Sequence, residues 1–371
     1  PTLGGWFVDN LSWRYIFWCG IPLLALSIAT VLLGLSKRTQ ARIPRIDARG
    51  ALLAAVASSS LILAFSLAGT IYPWASRQVI GLLIVSVVFW VLFIRTEAAA
   101  AEPILDLQVL RNRSFVTIAT ACFLSAIGMT ALMIYYPLLM QGIQGISATR
   151  SGQILTPATV LMSFLGVPVG FIIARTRRYK WMYILGYGLA MVAAFGLLFF
   201  RADTDVIWGF LVVTLAGIGM GAIPTLNTLV AQYSVSQKLL GVVTGALFFT
   251  VMMGQAVAPA VLGSAMNMRY NSVLKASLPE EVSAMTDQVT MTSLGNPRVL
   301  LSEPAMAALR SSLSRKSSEG ESILQQTVAA IRTSMEAGLK IVFIIGAISM
   351  LLTFLAICTL PELSIEKGPE R

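Results

Sequence analysis

Val206-Ile-Trp-Gly-Phe-Leu-Val-Val-Thr-Leu-Ala-Gly-Ile-Gly-Met-Gly-Ala-Ile-Pro-Thr-Leu-Asn-Thr-Leu-Val230 runs for 25 residues without a charged side chain. About 20 apolar residues are enough for a helix to cross roughly 30 Å of hydrocarbon, so this stretch predicts a membrane span. Eight more runs of the same kind flank it, at roughly 16–36, 50–71, 78–95, 115–140, 153–174, 181–200, 238–262 and 338–360. Asp, Glu, Lys and Arg keep to their ends. The expected fold is all-α and polytopic, with about nine spans.

Charge placement gives the orientation. The net charge of +10 could suggest a nucleic-acid partner, but no basic patch is interleaved with aromatics, so none is expected. The basic residues collect in alternate loops instead: Lys37, Arg38, Arg42, Arg45 and Arg49; then Arg95, Arg111 and Arg113; then Arg175, Arg177, Arg178 and Lys180; then Lys238. These hold 13 basic residues, against four (Arg14, Arg77, Arg150, Arg201) in the loops between them. Positive charge is retained inside, so the rich loops are expected in the cytoplasm and the protein in the cell membrane. Trp13, Trp18, Tyr72, Trp74, Tyr179, Trp181 and Trp208 stand at run ends, as in an interfacial aromatic belt.

The 266–337 segment is expected outside, as a loop with short amphipathic helices at 303–316 and 319–337. It reads as a surface cap or as a substrate-selecting lid. Residues 361–371 form an expected cytoplasmic tail. Cys19, Cys122 and Cys358 show neither metal nor disulfide spacing, and the chain has no histidine. No metal, no cofactor and no catalytic constellation is expected.

Glycine and proline crowd two successive spans: Gly217, Gly219, Gly221 and Pro224, then Gly241, Gly245, Gly254, Pro259 and Gly263. They allow close static packing or a moving interface. Polar residues within spans are few. Tyr135, Tyr136, Gln141 and Gln255 are candidates for a ligand cavity, and interhelical hydrogen bonding is the other reading of each. No carboxylate is expected inside a span, so either a proton-coupling acid lies before Pro1 or the protein is not proton-driven.

The first residues, Pro1-Thr-Leu-Gly4-Gly5-Trp-Phe-Val-Asp9-Asn-Leu-Ser-Trp13-Arg14-Tyr-Ile-Phe17, resemble the end of the Gly-Pro-x-x-Gly-Gly antiporter motif of the major facilitator superfamily and the loop that follows it. The likeness is to the fourteen-span drug:proton antiporter branch. It continues through Pro103-Ile-Leu-Asp106, Tyr136-Pro137-Leu138, Gln141, Gln144-Gly145, Gly152 and Pro157. Gly170, Arg175 and Arg178 match a degenerate copy of the Gly-x-x-x-Asp-Arg-x-Gly-Arg loop, with Ala174 and Arg177 in place of its Asp and Gly.

The resemblance implies a fragment running from the end of span five to the C-terminus. Residues 1–36 would complete an N-terminal bundle, 50–95 would be two linking spans, and 115–360 a C-terminal six-span bundle. It also implies two bundles that rock about a central cavity, exporting amphipathic or cationic compounds in exchange for protons. Pro1, Gly4 and Gly5 would seal the outer route, and Asp9, Trp13 and Arg14 would hold the loop at the membrane surface. A transporter of a specific metabolite, lipid or siderophore is the alternative. A membrane-embedded enzyme or a scaffold is disfavoured, because no paired carboxylates, histidines or metal spacing appear.

Overall fold

The computed structural model describes residues 1–34, 47–69, 71–100, 103–278, 282, 294–297, 299–301, 303–314 and 320–362. The four basic residues at 37, 38, 42 and 45 and the tail after 362 lie outside these. Among the described residues, nine helices are long and apolar enough to cross a membrane. The protein is a multi-pass, all-α membrane protein.

The chain begins with a short helix α1 (Thr2–Asn10) and the span α2 (Arg14–Gly34), neither with a buried residue. A tight hairpin of α3 (Ala48–Leu67) and α4 (Arg77–Ala99) follows. A short α5 (Leu107–Arg111) leads into the first span of the main bundle, built from α6 (Arg113–Thr130), a π-turn at Ala131–Tyr135 and α7 (Tyr136–Gly142). Next come α8 (Ala148–Phe164) with α9 (Gly166–Thr176), α10 (Lys180–Gly196), and α11 (Val206–Gly221) with α12 (Ile223–Tyr233). The long α13 (Leu240–Ser277), a peripheral α14 (Glu303–Ser314) and α15 (Gly320–Cys358) complete the chain.

Local sequence sets the starts of these helices. An N-cap side chain takes one of the four N–H groups that a helix start leaves unpaired. Asp47 accepts from Gly50, Ser76 from Val79, Asn112 from Phe115, Ser147 from Arg150 and Asp205 from Ile207. Two clusters of buried side chains hold the bundle. One joins Tyr136, Leu139, Leu197, Leu262, Tyr270, Leu339 and Phe343. The other, at the end with the basic loops, joins Phe115, Ile118, Tyr183, Leu226, Val243 and Ile357.

Three features depart from expectation. The 266–337 segment is not a loop carrying two short helices: α13 continues to Ser277, and α15 starts at Gly320 and runs unbroken into the last span. The reason is a buried stripe at helical spacing on both extensions, Met266, Tyr270 and Leu274 on one, Ile331, Met335 and Leu339 on the other. The α14 helix matches the expected 303–316 helix. Second, α4 overruns its apolar stretch and carries Glu97, 3% exposed, into its last turn. A carboxylate is therefore buried at the end of a span where none was expected. Third, Arg177 takes φ 55°, left-handed, at the C-cap of α9. Glycine adopts this conformation most easily, so the turn here stands on a residue that rarely takes it.

Candidate functional site

Two constellations stand out, a helix crossing built on glycine and a cavity inside the bundle. The crossing is between α1 and α8. A Cβ placed on Gly5 would lie 2.7 Å from the Ala148 carbonyl carbon and 2.8 Å from Thr149 Cα. A Cβ on Gly152 would meet the Pro1 carbonyl oxygen at 2.6 Å. Each glycine thus lets the other helix's backbone approach to contact. Thr2 and Thr156 join hydroxyls at 2.6 Å across the same face.

Gly4 is different. Its Cβ would meet only Ile16 Cδ1, at 3.9 Å. Of the two glycines singled out by sequence, Gly5 makes the crossing and Gly4 does not. Pro1 caps α1, and its carbonyl accepts from Gly5 N–H at 2.9 Å.

Asp9 closes the crossing at the C-terminal end of α1. Its Oδ2 accepts from the Thr149 N–H at 2.7 Å, in the first turn of α8. A carboxylate is favoured there, next to unpaired N–H groups and the positive end of the helix dipole. Hydrogen bonds from the Thr149 side chain and backbone hold the Asp9 carboxyl below the ordinary carboxylate range. Arg14 does not pair with it; the guanidinium lies over the Trp13 ring, 5.1 Å from the centroid.

A depressed carboxyl stabilises the fold above its unfolded value, and that stabilisation is lost as pH falls through the folded value. Asp9→Asn should therefore melt below the wild type at neutral pH. The difference should begin to shrink as the pH drops below about 3.9, the ordinary value for Asp, and close below the lower folded value. Melting curves of both proteins across that range check this; a difference that ignores pH would mean the charge plays no part.

The cavity encloses about 560 Å³ between α6, α8, α11, α12 and α13. Its walls carry Met129, Met133, Met162, Met220 and Met252, with Phe248, Leu247 and Ile223. Among the described residues no charged side chain lines it. Methionine is unbranched and polarisable, so such a wall adapts to differently shaped apolar ligands. Polar groups are sparse: Ser125, Thr130, Asn227, Thr228, Thr244 and Gln255. Asn227 accepts from the Tyr183 hydroxyl at 3.0 Å and donates to Cys122 Sγ at 3.0 Å.

The other sequence candidates have separate places. Gln255 lines the cavity, four residues before Pro259, whose ring nitrogen cannot donate to the Gln255 carbonyl. Tyr135, Tyr136 and Gln141 are not among the cavity residues. The Tyr135 hydroxyl donates to the Pro259 carbonyl at 3.0 Å, tying the π-turn to α13. Tyr136 is 1% exposed and packs edge-on to Phe200, its hydroxyl against Gly209. Gln141 Nε2 donates to Ser151 Oγ at 3.2 Å. For these three, interhelical bonding and packing is the arrangement observed. Gly170, Arg175 and Arg178 lie on and just after α9, away from both constellations, and Arg175 stands in its last turn, where a cation is favoured.

Sequence reasoning missed the methionines, because their spacing over four helices and the π-turn has no single period. It also missed the π-turn. Pro137 was the available cue: it cannot donate within the helix, and the chain widens just before it, with Tyr136 N–H bonded to the Ala131 carbonyl. Met133 and Ile134 of that widened turn face the cavity.

Comparison with known proteins agrees with this architecture. The family model of the Major Facilitator Superfamily matches residues 1–259. The multidrug transporter protein MdtP of Bacillus subtilis is 31% identical over 312 residues, covering 81% of this chain and 57% of that protein. Multidrug resistance protein 3 of the same organism is 30% identical over 221 residues, covering 60% of this chain and 43% of that protein. The efflux pump FUS6 of Gibberella moniliformis is 27% identical over 281 residues, covering 73% and 50% respectively. The chain spans about half the length of these curated relatives. With its family model matched over most of its length and its spans in place, the chain belongs to the major facilitator superfamily.

Proposed function

We propose that this chain is part of a secondary active transporter of the cell membrane that exports drugs or other amphipathic or cationic compounds in exchange for protons. The observation that carries the reading is the uncharged, methionine-rich cavity with a few convergent amides and hydroxyls. A site of this size and lining suits bulky lipophilic ligands of varied shape. The names of MdtP and multidrug resistance protein 3 point the same way. Alternating access would proceed by rocking of bundles about this site. The α1–α8 crossing would then be a contact that forms in one access state and opens in the other. The loops at 37–49 and 175–180 would face the cytoplasm and the 266–337 segment the outside.

The test uses the purified protein in vesicles with an imposed pH gradient and a fluorescent lipophilic cation. Dye should move against its gradient, and a protonophore should abolish the movement. Transport that ignores the pH gradient would defeat the proton-exchange reading.

A further inference from the structure

The hairpin of α3 and α4 contains two acids whose buried oxygens face one another. Asp47, the N-cap of α3, spends Oδ1 on the Gly50 N–H at 2.8 Å. Its Oδ2 is buried and has no hydrogen-bond partner among the described residues. Glu97, in the last turn of α4, is 3% exposed. Its Oε2 accepts from the Leu105 N–H at 3.0 Å, while Oε1 is buried and without a partner among the described residues. Both orphan oxygens border the same spot. A Cβ on Gly50 would lie 2.6 Å from Asp47 Oδ2 and 2.6 Å from Glu97 Oε1. The two oxygens are thus no further apart than twice that distance, with a side-chain-free gap between them.

No cation compensates them among the described residues. Arg49 and Arg95, on the same two helices, form no ion pair with either acid, nor does Arg111 of α5. Asp106, the N-cap of α5, is occupied by the Gln108 N–H at 2.8 Å. On α13, which packs against α3, the charged residues are Arg269 and Lys275. They lie toward the other end of the hairpin, where Trp74 of the α3–α4 turn donates to Ser264. Two ionised carboxylates whose facing oxygens are covered from water, with no counter-charge among the described residues, are costly. One proton between them turns the repulsion into a charge-assisted O–H···O⁻ bond. A hard metal cation would need six or more oxygen ligands, and only two converge here.

We propose that Asp47 and Glu97 together bind one proton, shared between Asp47 Oδ2 and Glu97 Oε1 above Gly50. The proton comes from bulk water, and no other bond is made or broken. While bound, it ties the end of α4 to the start of α3, and through Leu105 to the turn before α5. The site is in the linking hairpin and outside the ligand cavity, so it stands independently of the export reading.

Infrared difference spectroscopy on the intact protein, acid minus alkaline, tests it. A protonated-carboxyl band should be present and should be lost in Glu97→Gln and in Asp47→Asn, while Glu321→Gln, at an exposed position, keeps it. Proton uptake on acidification should fall by one per molecule in either variant. Gly50→Ala, which puts a methyl group between the oxygens, should shift or remove the band with both acids still present. The melting temperature of the wild type should fall as pH rises through the loss of the band, and that slope should flatten in Glu97→Gln. If one variant fails to fold, the other two are read in the same way. A band and uptake unchanged in both acid variants would overturn the proposal. So would displacement of the band by sodium chloride at fixed pH, which would place an alkali ion there.

Discussion

Gly5→Leu should lower transport per molecule of membrane-embedded protein by about a hundredfold, while Gly4→Leu leaves it close to the wild type. The expectation follows from what each new side chain would meet. At Gly5 even the first carbon falls on the backbone of Ala148 and Thr149, which no rotamer change can move. At Gly4 the nearest atom is the tip of Ile16, at ordinary contact distance. Overpacking of this kind costs ~3 kcal/mol at the upper end of the usual range. On the proposed alternating access that cost falls only on the state in which α1 closes onto α8, so it would move the balance of states by roughly two decades. Gly152→Leu, on the opposite side of the same crossing, should reproduce the effect through Pro1. The measurement is initial efflux rate divided by the amount of protein in the membrane. Equal tolerance at Gly4, Gly5 and Gly152 would mean that the crossing is not part of the transport cycle. A general folding defect is recognised separately, as reduced abundance.

The architecture was legible because lipid imposes a coarse and one-dimensional requirement. Residues 115–140 were expected as a span and form one within Arg113–Gly142; 78–95 lies within Arg77–Ala99. Composition over 20 residues decides such spans, and tertiary contacts do not change the outcome. Sequence reasoning named no N-caps, although Asp47, Ser76, Asn112, Ser147 and Asp205 each stand just before a helix. What could not be read was direction. Tyr135 and Gln255 are polar residues of neighbouring spans, yet only Gln255 faces the cavity. The π-turn at Ala131–Tyr135 shifts the helix register by part of a turn, so Tyr135 and Tyr136 do not keep the face that regular 3.6-residue spacing would give them. Glu97 was hidden for a related reason. Two residues after Arg95, it looked like a loop carboxylate, and only the continued helix and the turn at Leu105 cover it. Gly4 and Gly5 are identical as letters. Their difference is 100° of rotation about α1, which decides which of the two meets α8.

Asn227→Leu should alter which compounds are carried more than whether the protein folds. Asn227 is 9% exposed, lines the cavity, and is held by two side chains, accepting from Tyr183 and donating to Cys122. Leucine has nearly the same shape and keeps the wall filled. The loss is the amide, and with it the acceptor of the buried Tyr183 hydroxyl. Interhelical hydrogen bonds in membranes average about 0.6 kcal/mol and reach about 1.7 kcal/mol, which a bundle this size tolerates. A ligand with a carbonyl or hydroxyl loses more, because the remaining polar groups of the wall are few and Asn227 is the buried amide among them. One lost hydrogen bond of about 1.4 kcal/mol is tenfold in affinity. Polar-substituted ligands should therefore bind about ten times more weakly, and purely apolar ligands of equal size should bind as before. Tyr183→Phe separates the two roles: it removes the same internal bond, frees Asn227 Oδ1, and should leave binding of polar ligands intact or stronger. Binding measured by quenching for a matched polar and apolar ligand pair, beside melting temperature for each variant, reads both effects. If Tyr183→Phe weakens polar ligands as much as Asn227→Leu does, the amide serves only to hold α10 and α6 against α12. The wall would then select its ligands by shape and polarisability alone.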